Sequence, residues 1–173
     1  IRAIDESSRA AGQLLDHAMI TFRADNLDRQ DIDLVVLAND LVMRLMPIAE
    51  MRDIELKLDA SSSVLVTGDM ILLQNAVRNL VDNALKYAPR ESVVRIVVAV
   101  APKPLISIID EGDGFPIEEM NGLADRFARG SNSRAIIGSG LGLTIAREVA
   151  EAHGGSLSLS NDSQGGACAT FSF

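Results

Sequence analysis

Two asparagines four residues apart, Asn79 and Asn83 in "NLVDNALKYAP", have types and a spacing that suit chemistry. On a helix such a pair lies on one face, one residue above the other. Lys86 and Tyr87 continue that face one turn later. A carboxamide oxygen suits Mg²⁺, which takes one or two protein oxygens and completes its shell with water and phosphate. The lysine and the phenol supply donors for phosphate. Taken alone, a solvated polar helix face is the more frequent meaning of this pattern. In "SIIDEGDGFP", Asp110 ends an apolar stretch and Gly112 and Gly114 follow at alternate positions. A carboxylate there can accept a hydrogen bond from an exocyclic amine such as that of adenine, and the glycines let the backbone turn sharply against a flat ring. An Asp capping an ordinary turn reads equally well. "ADRFARGSNSR" sets Arg126, Arg129 and Arg134 around Phe127, which suits a lid closing on phosphate charge or, more plainly, scattered surface arginines. "GSGLGL" puts Gly138, Gly140 and Gly142 in front of a helical pattern, where a helix N-terminus attracts anions; a plain flexible loop is the competing meaning.

These residues need elements to hold them. Ile4, Ala11, Leu14, Leu15 and Ala18 recur at roughly helical spacing, which predicts one long helix over residues 4–23. The charged, aperiodic "RADNLDRQD" reads as a linker. "IDLVVLANDLVMRLMPIAEMRDI" reads as a second helix that Pro47 should kink or break. "IELKLDA" and "SVLVTGD" are strand candidates. Asp69 then stands as the N-cap of a helix, "MILLQNAVRNLVDNALKYA", that Pro89 closes. Leu80, Val81, Ala84 and Leu85 give that helix its buried face. "SVVRIVVAVA" and "KPLISIID" read as neighbouring strands, "IEEMNGLADRFA" as a short helical stretch, Leu141 to Ala152 as the last helix, and "GSLSLS" and "ACATFSF" as closing strands. The order predicts an α/β two-layer sandwich, with one mixed sheet and helices on one face.

With 173 residues, 47% hydrophobic and 23% charged, the chain suits one soluble globular domain with a short appendage. A net charge of −8 speaks against non-specific nucleic-acid binding, although a local cluster of Arg and Lys can still serve a nucleotide. Cys168 is the one cysteine, so no internal disulfide forms; it reads as a small core residue in a reducing compartment. No apolar run reaches membrane-span length. The opening "IRAIDESS", without methionine, fits a fragment of a longer chain.

In sequence order, "NLVDNALKYAP", "DEGDGFP", "RFARG" and "GSGLGLTIAREVAEAHGG" resemble the four conserved boxes of the ATP-binding domain of sensor histidine kinases, over residues 29–173. "LMPIAEMRDIELKLD" and "GGACATFSF" look like that family's flanking segments. The resemblance implies a Bergerat-type sandwich that binds ATP and Mg²⁺ without a Walker-A loop, in agreement with the absence of a G-x-x-x-x-G-K-[ST] pattern. It implies that Asn83 ligates Mg²⁺ and that Asn79 lies beside the phosphates. Lys86 and Tyr87 contact phosphate or ribose, and Asp110 takes the adenine amine between Gly112 and Gly114. Arg129 approaches the γ-phosphate. Gly138, Gly140 and Gly142, with Leu141 and Leu143 between and after the last two, wrap the phosphates, and Thr170 lies near the adenine. The catalytic set it implies is Asn79, Lys86 and Arg129. ATPases of the same fold that resemble the chain less closely usually carry a glutamate at the position of Asn79, acting as general base. A carboxamide cannot take a proton at neutral pH, so transfer to a protein acceptor is expected over hydrolysis. A stand-alone ATPase of this fold or an anti-sigma-like serine kinase is the alternative.

The acceptor itself is not evident. "LDHAMIT" around His17 lacks the acidic residue and the downstream proline of the family's phosphoacceptor motif. His153, at a helix end, reads as a cation or a cap. Residues 1–28 instead resemble the second helix of the dimerisation hairpin plus a linker, with the acceptor on the missing first helix. The implied partners are ATP, the protein's own dimerisation domain in a homodimer and a response regulator, with neither nucleic acid nor membrane contact by this segment. The implied setting is the cytosolic portion of an inner-membrane sensor.

Overall fold

Alternation builds the sheet. In "SVVRIVVA" every second residue, Ser92, Val94, Ile96 and Val98, is buried, and the residues between are half-exposed. That is the mark of a sheet with one covered and one open face. A computed structural model describes residues 23, 26–60, 62–100, 102–118, 120 and 141–173. Its elements are β1 (Arg29–Asp33), α1 (Leu34–Glu50), β2 (Ile54–Ala60), β3 (Leu65–Asp69), α2 (Met70–Tyr87), β4 (Ser92–Ala99), β5 (Leu105–Ile109), α3 (Gly142–Ala152), β6 (Ser156–Asn161) and β7 (Ala167–Ser172).

Five strands form a mixed sheet in the order β2-β4-β5-β7-β6. β2 and β4 run parallel, so a crossover through β3 and α2 separates them. The remaining neighbours are antiparallel. All three helices lie against the inner face. α2 buries Leu72, Leu73, Ala76, Val77, Leu80, Val81, Ala84 and Leu85, and α3 buries Ile145, Ala146, Val149 and Ala150. They meet Ile96, Ile106, Ile108 and Phe171 from the sheet in one core. Two N-caps fix where helices start. Asp33 accepts from the Val35 N–H at 2.9 Å, and Asp69 accepts from Ile71 at 3.0 Å and Leu72 at 3.2 Å. Each cap satisfies N–H groups that a helix leaves unpaired.

Several expectations change. The sheet is accompanied by a second, two-stranded ribbon, β1 against β3. β1 straddles the end of the charged stretch read as a linker and the first two residues of the segment read as a helix; only Ile32 in it is fully buried, so it shows no alternation to read. α1 runs unbroken through Pro47 to Glu50. The proline frees the carbonyl of Met43, a residue 64% exposed, where water can satisfy it. Cys168 lies half-exposed on the open face of β7 rather than in the core. Of the helix expected over 4–23 only Arg23 is described, and of the expected helical stretch "IEEMNGLADRFA" only Ile117, Glu118 and Met120; the rest of both, His17 included, lies outside the described residues.

Candidate active site

α2 carries the first half of the site. Its buried stripe faces the core, which leaves Asn79, Asn83, Lys86 and Tyr87 half-buried beside it. Asn79 Nδ2 donates to the Asn75 carbonyl at 2.9 Å, one turn back. Its Oδ1 is thereby turned toward the start of α3, where a Cβ on Gly142 would stand 3.6 Å from it. The Asn83 side chain has no hydrogen bond to any described residue. Lys86 Nζ donates to the Tyr87 hydroxyl at 3.2 Å, and lies 4.7 Å from the centre of its ring. Lys86 also places a cation in the last turn of α2, where the helix dipole favours it.

The loop after β5 carries the second half. Asp110 is 5% exposed. Its Oδ1 accepts from the Gly112 N–H at 2.9 Å and from the Ala167 N–H at 3.2 Å, while Oδ2 takes no bond from a described residue. Burial pushes the Asp110 carboxyl above the ordinary carboxylate value, and the two backbone bonds hold it back. Gly112 is required by close approach: a Cβ there would come 2.7 Å from the Tyr87 carbonyl oxygen and 3.0 Å from Asp110 Oδ1. The loop after β5 therefore rests on the C-terminal end of the helix that carries the two asparagines. Gly114 has φ 74°, a conformation that side chains rarely adopt.

α3 begins against this pair of elements. Leu141, at its N-cap, supplies no side-chain cap. Leu143, in the first turn, is half-buried and packs against both apolar clusters. The structure thus brings together Asn79, Asn83, Lys86, Tyr87, Asp110, Gly112, Gly114, Leu141, Gly142 and Leu143. Arg126, Phe127, Arg129, Arg134, Gly138 and Gly140 lie outside the described residues. Thr170 lies apart from these residues. It sits on the open face of β7, its Oγ1 2.8 Å from Ser107 Oγ, while Asp110 belongs to the covered face. The strand period puts Ala167 and Ala169 on the Asp110 side instead.

His153 also differs from one expectation. It stands at the C-cap of α3, with Nδ1 2.7 Å from the Val149 carbonyl and Nε2 accepting from the Asp69 N–H at 2.9 Å. Those partners require the neutral imidazole with its proton on Nδ1. Burial pushes its pKa below the ordinary histidine value. It is a cap and a tie between elements, not a cation. Two further residues escape the motifs. Gly166 packs so closely on the Asp110 carbonyl that a Cβ there would overlap it, and Asn161 bonds both backbone groups of Phe115. Both lie in "SNDSQGGA", which carries only a turn signal.

Residues 68–173 match the family described as histidine kinase-, DNA gyrase B-, and HSP90-like ATPase. The sensor protein QseC of Salmonella typhi is 33% identical over 164 residues, which are 94% of this chain and 36% of that protein. The sensor-like histidine kinase SenX3 of Mycobacterium tuberculosis is 38% identical over 130 residues, 73% of this chain and 32% of that one. Among solved structures, the cytoplasmic segment of histidine kinase QseC is similar with a TM-score of 0.72 and 26% identity, over 95% of this chain and 93% of that one. The chain spans well under half the length of the curated relatives it matches.

Proposed function

Since the chain belongs to the histidine kinase-, DNA gyrase B- and HSP90-like ATPase family and carries the ATP-binding catalytic domain of sensor histidine kinases, we propose that it holds Mg·ATP for transfer of the γ-phosphoryl group to a histidine outside these residues. The observation that carries this reading is the Asp110 carboxylate. It is buried, one oxygen is held by two backbone N–H groups, and the other takes no bond from a described residue. An oriented acceptor beside a backbone without side chains suits the exocyclic amine of a flat base.

The remaining residues suit the other end of the nucleotide. Asn83, a carboxamide with no described partner, would hold Mg²⁺ through its oxygen, the hard ligand that this cation prefers. When bound, the metal neutralises charge on the phosphate oxygens during transfer. Lys86 and Tyr87 bind phosphate or ribose oxygens, and Arg129 meets the γ-phosphate. Gly138, Gly140 and Gly142, with Leu141 and Leu143, bring backbone N–H groups and the positive end of α3 to the phosphates. Asn79 stands beside them. Its carboxamide takes up no proton, which favours a protein nucleophile over water. Residues 1–28 belong to the dimerisation hairpin and its linker, and residues 29–173 to the catalytic domain. The phosphoryl group passes on to a response regulator. Among the described residues no helix is long and apolar enough to cross a membrane, and the proposed setting is the cytosolic side of a membrane sensor.

The test is to incubate the chain with the full-length protein's upstream helix, magnesium and γ-labelled ATP. Acid-labile phosphohistidine on the upstream helix is expected. Sustained phosphate release by the chain alone, with no phosphohistidine, would favour the ATPase alternative.

A further inference from the structure

The loop that follows Asp110 is fastened at two places. At its start, the Asp110 N–H donates to the Ala167 carbonyl at 3.0 Å while the carboxylate takes the Ala167 N–H. The Glu111 carboxylate is spent on the Val93 N–H at 3.1 Å, to one side. At its far end the loop is gripped by one side chain from another element. Asn161, the last residue of β6, accepts from the Phe115 N–H at 2.7 Å and donates to the Phe115 carbonyl at 2.9 Å. A single carboxamide thus does for Phe115 what a neighbouring strand does for a residue inside a sheet. Gly114, next to it, leaves no room for error: a Cβ would stand 2.5 Å from the Gly165 carbonyl oxygen and 2.8 Å from Asn161 Oδ1. Phe115 is 9% exposed and forms a small apolar cluster with Ala167, packed by Leu159 and by Leu143 from the first turn of α3.

The hairpin that carries Asn161 does not need this contact for itself. β6 and β7 pair along their whole length, from Ser156↔Ser172 to Asn161↔Ala167. Their turn is closed by Asp162 N–H to the Gly166 carbonyl at 2.7 Å and Gly165 N–H to the Asp162 carbonyl at 2.9 Å. What depends on the Asn161 side chain is the placement of the loop, and with it the angle at which the Asp110 carboxylate faces a base. We propose that Asn161 is a positioning residue for nucleobase recognition, acting through Phe115 on the Asp110 loop. This rests on the adenine reading of Asp110 given above.

The experiment compares the affinity of the chain for ATP and for inosine triphosphate, which carries a carbonyl oxygen where ATP carries the amine. Wild-type protein is expected to prefer ATP. Asn161→Ala is expected to lower ATP affinity roughly tenfold, the scale of one or two net hydrogen bonds, and to leave inosine triphosphate nearly unchanged, so that the preference collapses. Asn161→Asp keeps the acceptor for the Phe115 N–H and loses the donor, and its preference is expected between the two. A wild-type preference in Asn161→Ala, even with a lowered melting temperature, overturns the proposal, because the residue would then serve stability alone. Should Asn161→Ala fail to fold, the preference is read on Asn161→Asp, where an unchanged ratio overturns it likewise. Equal wild-type affinity for the two nucleotides overturns the adenine reading itself, and the proposal with it.

Discussion

Asp110 is a residue whose usefulness and whose stability pull in opposite directions. Its folded pKa is raised above the ordinary 3.8, mainly by burial. The contribution of this group to stability is therefore complete below that value and is lost as pH rises through the raised pKa, so at neutral pH the ionised form is a cost to the fold. Asn carries no such cost and its oxygen can still accept from Gly112 and Ala167. Asp110→Asn is expected to weaken ATP binding by about 1–3 kcal/mol, the range for a mispaired buried polar group, while the melting temperature at neutral pH holds or rises. Calorimetric titration beside a thermal melt checks both halves. Asn83→Ala tests the other end of the site: nucleotide affinity should lose its dependence on magnesium while the melt stays near wild type, since the Asn83 side chain bonds no described residue. An unchanged magnesium response would remove Asn83 from the metal. Both residues were legible in the sequence, because an Asp with glycines at alternate positions and two amides at i and i+4 are local patterns. Asn161 and Gly166 were not, because their significance comes from residues forty to sixty positions away in the chain.

At the scale of elements, the start of α2 is held by more than its cap. Asp69 is 1% exposed and its Oδ2 takes Arg23 Nη2 at 2.9 Å and the Asp28 N–H at 3.2 Å, while Oδ1 caps the helix. Burial raises its carboxyl pKa, but the bonds from Arg23, Leu72 and Asp28 outweigh that and leave it below the ordinary value. Asp69→Ala removes the cap and leaves Arg23 without this partner; a loss of about 2 kcal/mol or more is expected from denaturant unfolding. Asp69→Asn keeps an acceptor for Ile71 and Leu72 and should lose less. The cap was visible from sequence, as a short polar residue ahead of an apolar periodic run. β1 was not, because four of its five residues are polar or charged and Ile32 alone is fully buried, which leaves no alternation to read. The break at Pro47 does not occur because the proline stands one turn from the helix end, where the one carbonyl it leaves unbonded, that of Met43, belongs to an exposed residue.

At the scale of the molecule, His153 links the end of α3 to the start of α2 as a neutral acceptor. Burial lowers its pKa below 6.5, with the Val149 carbonyl opposing, Arg29 adding to the shift and Asp69 opposing it. Its contribution to stability is thus present above that value and is lost as pH falls through the lowered pKa. Melts recorded between about pH 8 and 5 should show wild type losing stability on acidification more steeply than His153→Gln; parallel curves would deny the link. The layered architecture and its one covered face were legible, since strand alternation and helix periodicity each mark a single buried side. The meeting of the two halves of the site was not, because nothing local says that Gly112 rests on the Tyr87 carbonyl and Gly142 on Asn79. Those two seats fall eight residues apart on one rigid rod, about 12 Å at the α-helical rise. α2 is in that sense a gauge. In the proposed function it would space the end that grips a ring from the end that grips a charge, and a molecule of the wrong length would satisfy only one of them.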